Sequence, residues 1–200
     1  MKKLFFLAAA VLLSGAMQAR NWRINSIPEA KADFPSITDA TASADVKSGD
    51  VLYLDPGCHL TGDQRVSKGV TIIGTGFNLG GSEMESSVQS IDIQCSDVVV
   101  TGVHIQNTLY ASKDTYKNVE VVRCKIGTVS ASAPMLVASC YITSGVNLGY
   151  NARLYNNIIL GPVDMGEGGI MRNNAIVCSK NNTFVSTTRC TIVDNIIINT

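Results

Sequence analysis

VVVTGVHI, at residues 98–105, is the first of six similar segments that decide the fold. Each segment carries an apolar residue at its third position and isoleucine at its eighth. The other five are VEVVRCKI (119–126), MLVASCYI (135–142), ARLYNNII (152–159), GIMRNNAI (169–176) and CTIVDNII (190–197). Self-similarity over so short a unit is typical of repeat architectures, in which each copy packs on its neighbours. The sequence therefore predicts a solenoid over its second half.

The fifth and sixth positions of each segment predict a bend. Alternate side chains of a strand point to opposite faces, so one flat strand would place the third and eighth positions on different faces. A corner between them lets both face inward, and asparagine and glycine tolerate the left-handed backbone that a corner needs. The pairs at these positions are Gly102-Val103, Arg123-Cys124, Ser139-Cys140, Asn156-Asn157, Asn173-Asn174 and Asp194-Asn195.

A third short strand is predicted in the segments that connect the repeats. Its copies are Val129-Ser130-Ala131, Val146-Asn147-Leu148, Val163-Asp164-Met165 and Phe184-Val185-Ser186. Three strands per turn, stacked about 4.8 Å apart, describe a parallel β-solenoid. An antiparallel sandwich also has short strands and regular turns, but it gives no reason to repeat the same residues at the same offsets. We therefore expect an all-β parallel β-helix.

The asparagines at the sixth position are similar to the asparagine ladder of right-handed parallel β-helix proteins, the pectate-lyase-like superfamily. They are Asn157, Asn174 and Asn195, and the column continues upstream with Cys140, Cys124 and Val103. The resemblance implies a right-handed coil. In active members it further implies a groove on an outer sheet, with either calcium-binding aspartates plus a basic residue or a pair of carboxylates. A calcium cofactor is expected only if the chain is lyase-like; otherwise we expect none.

The segment before the repeats predicts a cap for the coil. Ser36 is a helix N-cap residue with Asp39 three positions later, and an alanine-rich helix should run to about Lys47. Such a helix would cover the open first turn. The strand and turn at 49–57 and the strand at 70–76 resemble the first turns of secreted β-helix proteins. We therefore divide the chain into an N-terminal strand and capping helix at 20–48 and a β-helix at 49–200.

Residues 1–19 are predicted to be a secretory signal peptide. Lys2 and Lys3 precede an apolar run, and small residues follow near Ala19. The alternative is an uncleaved anchor, but the apolar run is shorter than the ~20 residues that span a bilayer. We expect an exported protein in the periplasm, on the cell surface or outside the cell, without a membrane span.

Charge and cysteine content exclude several partners. The chain has 16 basic and 16 acidic residues, so it offers no basic surface for nucleic acid. Its cysteines lack the CxxC spacing of zinc sites, and no metal is expected. Cys124 and Cys140 stand at the same position of adjacent repeats. They are either buried free thiols or a disulfide bridge.

The seventh position of the repeats provides the first candidate binding site. His104, Lys125 and Tyr141 should project outward from three successive turns, where they could hold a sugar or a uronate. Arg153 and Arg172, on neighbouring turns, form a second candidate pair. The alternative for both groups is an ordinary solvated strand face. The connection at 107–118 should be the longest excursion over this face.

Three functions stay open. The outward columns contain no stacked set of acids, so we expect a non-catalytic carbohydrate-binding or cell-surface module, with polysaccharide as its partner. The first alternative is a polysaccharide lyase or glycoside hydrolase that acts on acidic polysaccharide. The second is a structural or adhesive module, because residues 195–200 carry no cap. Either a longer β-helix continues beyond them, or a partner or second copy covers the last turn.

Overall fold

The chain forms a right-handed parallel β-helix, as the repeats predict. The computed structural model describes residues 19–77, 84–178, 185–187 and 189–200. All the strand pairs in these ranges are parallel, in two sheets that we call sheet A and sheet B. Within these ranges, helix is confined to a short 3-10 turn, Pro28–Ala30, and one helix, α1, Ile37–Ala42. None of the helices in these ranges has the length and apolar character to span a membrane.

Sheet A contains the first strand of every turn. In chain order its nine strands are β1 Asn21–Ile24, β2 Val51–Leu54, β4 Thr71–Ile73, β6 Val98–Thr101, β8 Val119–Val122, β10 Met135–Ala138, β12 Arg153–Tyr155, β15 Ile170–Arg172 and β18 Thr191–Val193. The order across the sheet is the chain order, so each turn stacks on the turn before it.

Sheet B contains the strands that follow the corner. Its ten strands are β3 His59–Val66, β5 Ser87–Ile93, β7 His104–Ala111, β9 Lys125–Ala131, β11 Tyr141–Leu148, β13 Ile158–Ile159, β14 Val163–Met165, β16 Ala175–Cys178, β17 Val185–Thr187 and β19 Ile196–Asn199. Strands β13 and β14 both pair with β11, because the longer strand bends across a register shift between Ile142 and Gly145.

The predicted corner lies at the fifth position of all six repeats. Each residue there has a left-handed backbone: Gly102 at φ 66°, Arg123 at 54°, Ser139 at 55°, Asn156 at 57°, Asn173 at 56° and Asp194 at 54°. Glycine and asparagine were expected here, but arginine and serine take the same conformation at some cost in backbone energy. The corner is therefore imposed by the packing of the coil and not by residue preference alone.

The third and eighth positions form the core. Successive third-position residues are paired in register in sheet A, and the isoleucines of the eighth position are paired in sheet B. In the first five repeats all of these residues are 0% exposed. In the last repeat Ile192 and Ile197 are 45% and 40% exposed. The apolar columns therefore run inside the coil and come to the surface at its last described turn.

The asparagine ladder is present. The backbone N–H groups of Asn157 and Asn174 each donate to the side-chain Oδ1 atom of the next ladder residue at 2.9 Å. Asn157 Nδ2 also donates to the Val137 carbonyl, and Asn174 Nδ2 to the Leu154 carbonyl, both at 2.9 Å. Cys140 joins the ladder, since its backbone N–H donates to Asn157 Oδ1 at 2.9 Å. The ladder thus satisfies buried polar groups at the corner.

The third strand is found where the sequence predicts it, with one correction. Residues 129–131 and 146–148 are the second halves of β9 and β11, and Val163–Met165 is β14. In the fourth copy Val163 pairs with Val185, so the register is one residue later than predicted. Phe184 itself lies outside the described residues. A slip of one residue exchanges the two faces of a strand, so Val185 takes the position in register with Val163 that the sequence assigned to Phe184.

Helix α1 caps the first turn of sheet B. Ser36 Oγ accepts from the Asp39 amide at 3.0 Å, as predicted. Ile37 and Ala40 are buried, and Thr38 Oγ1 accepts from the Arg65 amide of edge strand β3 at 2.9 Å. The helix ends at Ala42, five residues before the predicted end at Lys47.

The early end of α1 has a tertiary cause. The Lys68 ammonium donates to the carbonyl groups of Ser43 and Val46. Ser43 Oγ also accepts from the Asp45 amide at 3.2 Å, which is a local turn that competes with helix. Both contacts hold residues 43–46 out of the helical hydrogen-bond pattern.

Candidate binding site on sheet B

The seventh position of the repeats forms an outward column at the start of sheet B. His104 pairs with Lys125, and Lys125 pairs with Tyr141. The three predicted residues therefore stand on successive turns, about 4.8 Å apart along the coil. All three side chains are partly buried. We call this set, with the residues added below, the polar column.

Two further residues extend the polar column upstream. His59 pairs with Ser87, and Ser87 pairs with His104. The His59 Nδ1 and Ser87 Oγ atoms are 2.6 Å apart, and Gln106 Nε2 donates to Ser87 Oγ at 3.4 Å. The repeats do not predict His59 and Ser87, because both lie before the six aligned segments. For His59, the signal that could have found it is the pattern Cys58-His59-Leu60, which matches Cys124-Lys125-Ile126.

Glu85, a buried acid beside the polar column, is a further residue that the repeats do not predict. Its Oε2 atom lies 3.2 Å from His104 Nδ1, and its side chain is 9% exposed. The other carboxylate oxygen, Oε1, is buried and has no hydrogen-bond partner among the described residues. Burial of an unpaired carboxylate oxygen is costly, and such a group in a native structure calls for a donor.

The electrostatics of the column keep His104 neutral near pH 7. Burial lowers the pKa of His104; the Glu85 carboxylate opposes this, and the charges of Lys125 and His59 reinforce it. An ionised carboxylate only accepts hydrogen bonds, so the proton of the neutral ring is assigned to Nδ1, which donates to Glu85. His104 Nε2 is then an acceptor. The pair resembles the way in which a carboxylate orients a histidine base.

The polar column ends at Tyr141. The next three positions in register are Ile158, Ala175 and Ile196. Ile158 and Ile196 are 46% and 64% exposed. This outward column therefore changes from polar to apolar along the coil, and the candidate site is restricted to the upstream turns.

The two predicted arginines lie elsewhere. Arg153 pairs with Ile170, and Arg172 pairs with Tyr155, so they occupy different columns on the outer face of sheet A. Both are exposed. Arg153 lines an open groove of about 380 Å³ together with Lys117 and Glu120. The structure does not bring these arginines together with His104, Lys125 and Tyr141.

The predicted long connection is shorter than expected. Strand β7 continues to Ala111, so the first part of 107–118 is strand and the loop is 112–118. Tyr110 lies in β7 between Asp92 and Ser130 and is 41% exposed. The loop is shorter because residues 108–111 form the third strand of this turn and pair with β9 after a register shift.

An open groove lies beside the downstream end of the polar column. Its volume is about 570 Å³. The lining residues come from β9, from β11 and from the β13–β14 connection with β14: Thr128, Ser144, Gly145, Val146, Asn147, Pro162, Val163 and Asp164. Thr128 and Ser144 follow Lys125 and Tyr141 by three residues, which is about 10 Å along a strand. Strands β9 and β11 therefore supply residues to both surfaces, and the following turn adds Pro162, Val163 and Asp164 to the groove.

Within the described ranges, no group of three or more His, Cys, Asp and Glu side chains is arranged to hold a metal ion. Comparisons of the chain with protein-family models, with curated proteins and with solved structures gave no match.

Proposed function

We propose that this protein is an exported, non-catalytic carbohydrate-binding module that binds saccharide at the polar column of sheet B. The observation that carries the proposal is Glu85, a buried carboxylate with one oxygen that accepts no hydrogen bond from the described residues. A saccharide presents many hydroxyl donors, and one of them at Glu85 Oε1 would satisfy this oxygen. The likeness of the ladder to that of pectate-lyase-like proteins supports the same proposal.

The neighbouring residues suit such a ligand. His104 Nε2 accepts a second hydroxyl, and Lys125 offers an ammonium for a carboxylate or hydroxyl oxygen. Tyr141 adds an aromatic surface with a polar tip. Because Lys125 stands between His104 and Tyr141 in the register, we propose an acidic saccharide as the preferred ligand.

Direct binding measurements test this function. Isothermal titration calorimetry should detect binding of acidic oligosaccharides, and Glu85→Gln and Lys125→Ala should each weaken it at least tenfold. Lys113→Ala is the matched control, because Lys113 is an exposed lysine in the 112–118 loop. The proposal is wrong if no saccharide binds, or if Lys125→Ala and Lys113→Ala bind the oligosaccharide with equal affinity.

The His104 and Glu85 pair favours one alternative function, a polysaccharide lyase. A neutral histidine with a free Nε2 could remove a proton from a uronate whose carboxylate contacts Lys125, and Tyr141 could donate a proton to the leaving oxygen. Incubation with uronate polymers, with and without calcium, separates the two functions. Unsaturated ends that disappear in His104→Gln would establish the lyase; bound but intact polymer would establish the module.

Export is part of the proposal and rests on residues 1–19. Residues 1–18 lie outside the described ranges, so the signal peptide is argued from the sequence alone. Expression of the full chain in a bacterium followed by mass measurement of the secreted or periplasmic protein should show cleavage near Ala19. Intact protein that stays in the cytoplasm would contradict export.

A further inference from the structure

Two cysteines stand on successive turns of the inward corner column. Cys124 comes directly before β9 and Cys140 directly before β11, and these strands pair in register at Lys125 and Tyr141. Cys124 is 0% exposed and Cys140 3% exposed. The two side chains therefore point into the same closed corner of the coil.

The contacts join the two cysteines directly. The Cys124 backbone N–H donates to Cys140 Sγ at 3.5 Å, so the sulfur of one turn lies directly against the backbone of the other. Neighbouring strands are about 4.8 Å apart, which lies within the ~4.4–6.8 Å range of Cα separations in disulfides. The pair therefore meets the Cα-separation criterion for a disulfide.

We propose that Cys124 and Cys140 are a disulfide-forming pair that covalently links two successive turns of the coil. Other cysteines are less suited as partners. Cys58 occupies the same column, but Ser86 and Val103 separate it from Cys124 along the stack. The linked turns are those that carry Lys125 and Tyr141, so the disulfide would also fix the spacing of these two residues in the polar column.

The oxidation is an ordinary thiol–disulfide exchange. One cysteine, as its thiolate, attacks the disulfide of a low-molecular-weight or protein oxidant and releases one thiol. The second cysteine attacks the mixed disulfide, the new S–S bond forms, and the second thiol of the oxidant leaves. Two protons and two electrons have then moved from the cysteines to the oxidant.

Burial determines when this exchange occurs. In the closed coil, burial and the adjacent Cys140 thiol raise the pKa of Cys124, which disfavours the reactive thiolate. We therefore place the exchange before the two turns stack or during their local opening. Once formed, the bond is shielded from reductants by the core.

Refolding with glutathione tests the proposal. The full chain is reduced, denatured and refolded with oxidised glutathione, then alkylated in denaturant and weighed as an intact protein. We expect at least two fewer alkylated thiols than in the reduced protein. Trypsin cuts after Arg123, Lys125 and Arg153, so a Cys124-Lys125 dipeptide joined to the peptide 126–153 identifies the bond, since Cys140 is the one cysteine in that peptide.

Variants provide the control. Cys140→Ser should abolish the cross-linked peptide, whereas Cys58→Ser, which removes a buried cysteine from the same column, should keep it. If a variant fails to fold, the wild-type digest decides the question by itself. Alkylation of both Cys124 and Cys140 after oxidative refolding, or a bond from either of them to another cysteine, would overturn the proposal.

Discussion

Glu85 Oε2 lies 3.2 Å from His104 Nδ1, and the pair stands at the centre of the polar column. The carboxylate comes from the segment before β5, outside any repeat, while the histidine comes from the first repeat. A residue that breaks the repeat pattern thus supplies the buried charge of the candidate site. This arrangement fits the general tendency of solenoids to carry function on their insertions.

The first prediction concerns the charge on Glu85. Glu85→Gln removes the Coulombic attraction that favours the protonated imidazole, so the pKa of His104 should fall below its wild-type value, which burial already lowers. An NMR titration of the His104 ring measures this pKa. Glu120→Gln is the control, because Glu120 is exposed on sheet A. An unchanged or raised pKa of His104 in Glu85→Gln would contradict the pairing.

The second prediction concerns stability against pH. The pKa of His104 is lower in the folded state than the ~6.5 of an unfolded histidine, so the unfolded chain binds the proton first as the pH falls. The free energy of unfolding should therefore decrease between about pH 6.5 and the folded pKa of His104, and then level off. Urea unfolding at several pH values measures this, and His104→Gln should reduce the decrease. Equal slopes in the two proteins would refute the assignment.

The third prediction concerns Asp50 at the entrance to the coil. Its carboxylate is 3% exposed and accepts from Arg20 N at 2.8 Å, Trp22 Nε1 at 2.8 Å and Lys47 N at 2.9 Å. Burial alone raises the pKa of Asp50, but these hydrogen bonds outweigh it and lower the pKa.

Asp50→Asn should lower the free energy of unfolding by about 1–3 kcal/mol at neutral pH, since hydrogen bonds to a charged acceptor are replaced. The pKa of Asp50 is depressed, so the wild-type contribution is present above about pH 3.9 and is lost as the pH falls through the folded pKa. Urea unfolding measures both effects. Asp45→Asn, an exposed acid nearby, should change little; an equal loss in both variants would count against this role.

The fourth prediction concerns the ladder. Asn174 Nδ2 donates to Leu154 O and Asn195 Oδ1, and Asn174 Oδ1 accepts from Asn157 N. Asn174→Ala leaves these buried groups without partners and should lower the free energy of unfolding by about 2–4 kcal/mol. Asn147→Ala, on the outer face of β11, should cost less than about 0.5 kcal/mol. Chemical denaturation of both variants shows whether the ladder carries this energy.

The sequence predicts most of the fold because the inward columns are constrained by burial. Isoleucine at the eighth position and a corner at the fifth could be identified without a structure, since both recur at a fixed offset. The end of α1 could not, because Lys68 determines it from a distant segment. The candidate site was predicted only in part. His104, Lys125 and Tyr141 belong to the repeat, whereas Glu85 belongs to no periodic pattern and is identified only by its contact with His104.

The last prediction returns to the corner. Ser139 has φ 55°, a left-handed conformation that costs an ordinary L-residue about 1–2 kcal/mol and glycine very little. Glycine also loses more conformational entropy on folding, which offsets part of this gain. Ser139→Gly should therefore raise the free energy of unfolding by about 0.5–1 kcal/mol. The matched control is Ser130→Gly, which replaces a serine inside β9 and should lower the free energy of unfolding by a similar amount. The two variants make the same chemical change. A loss of stability in both would contradict the prediction, because it would mean that the side-chain contacts of Ser139 outweigh the strain of its backbone.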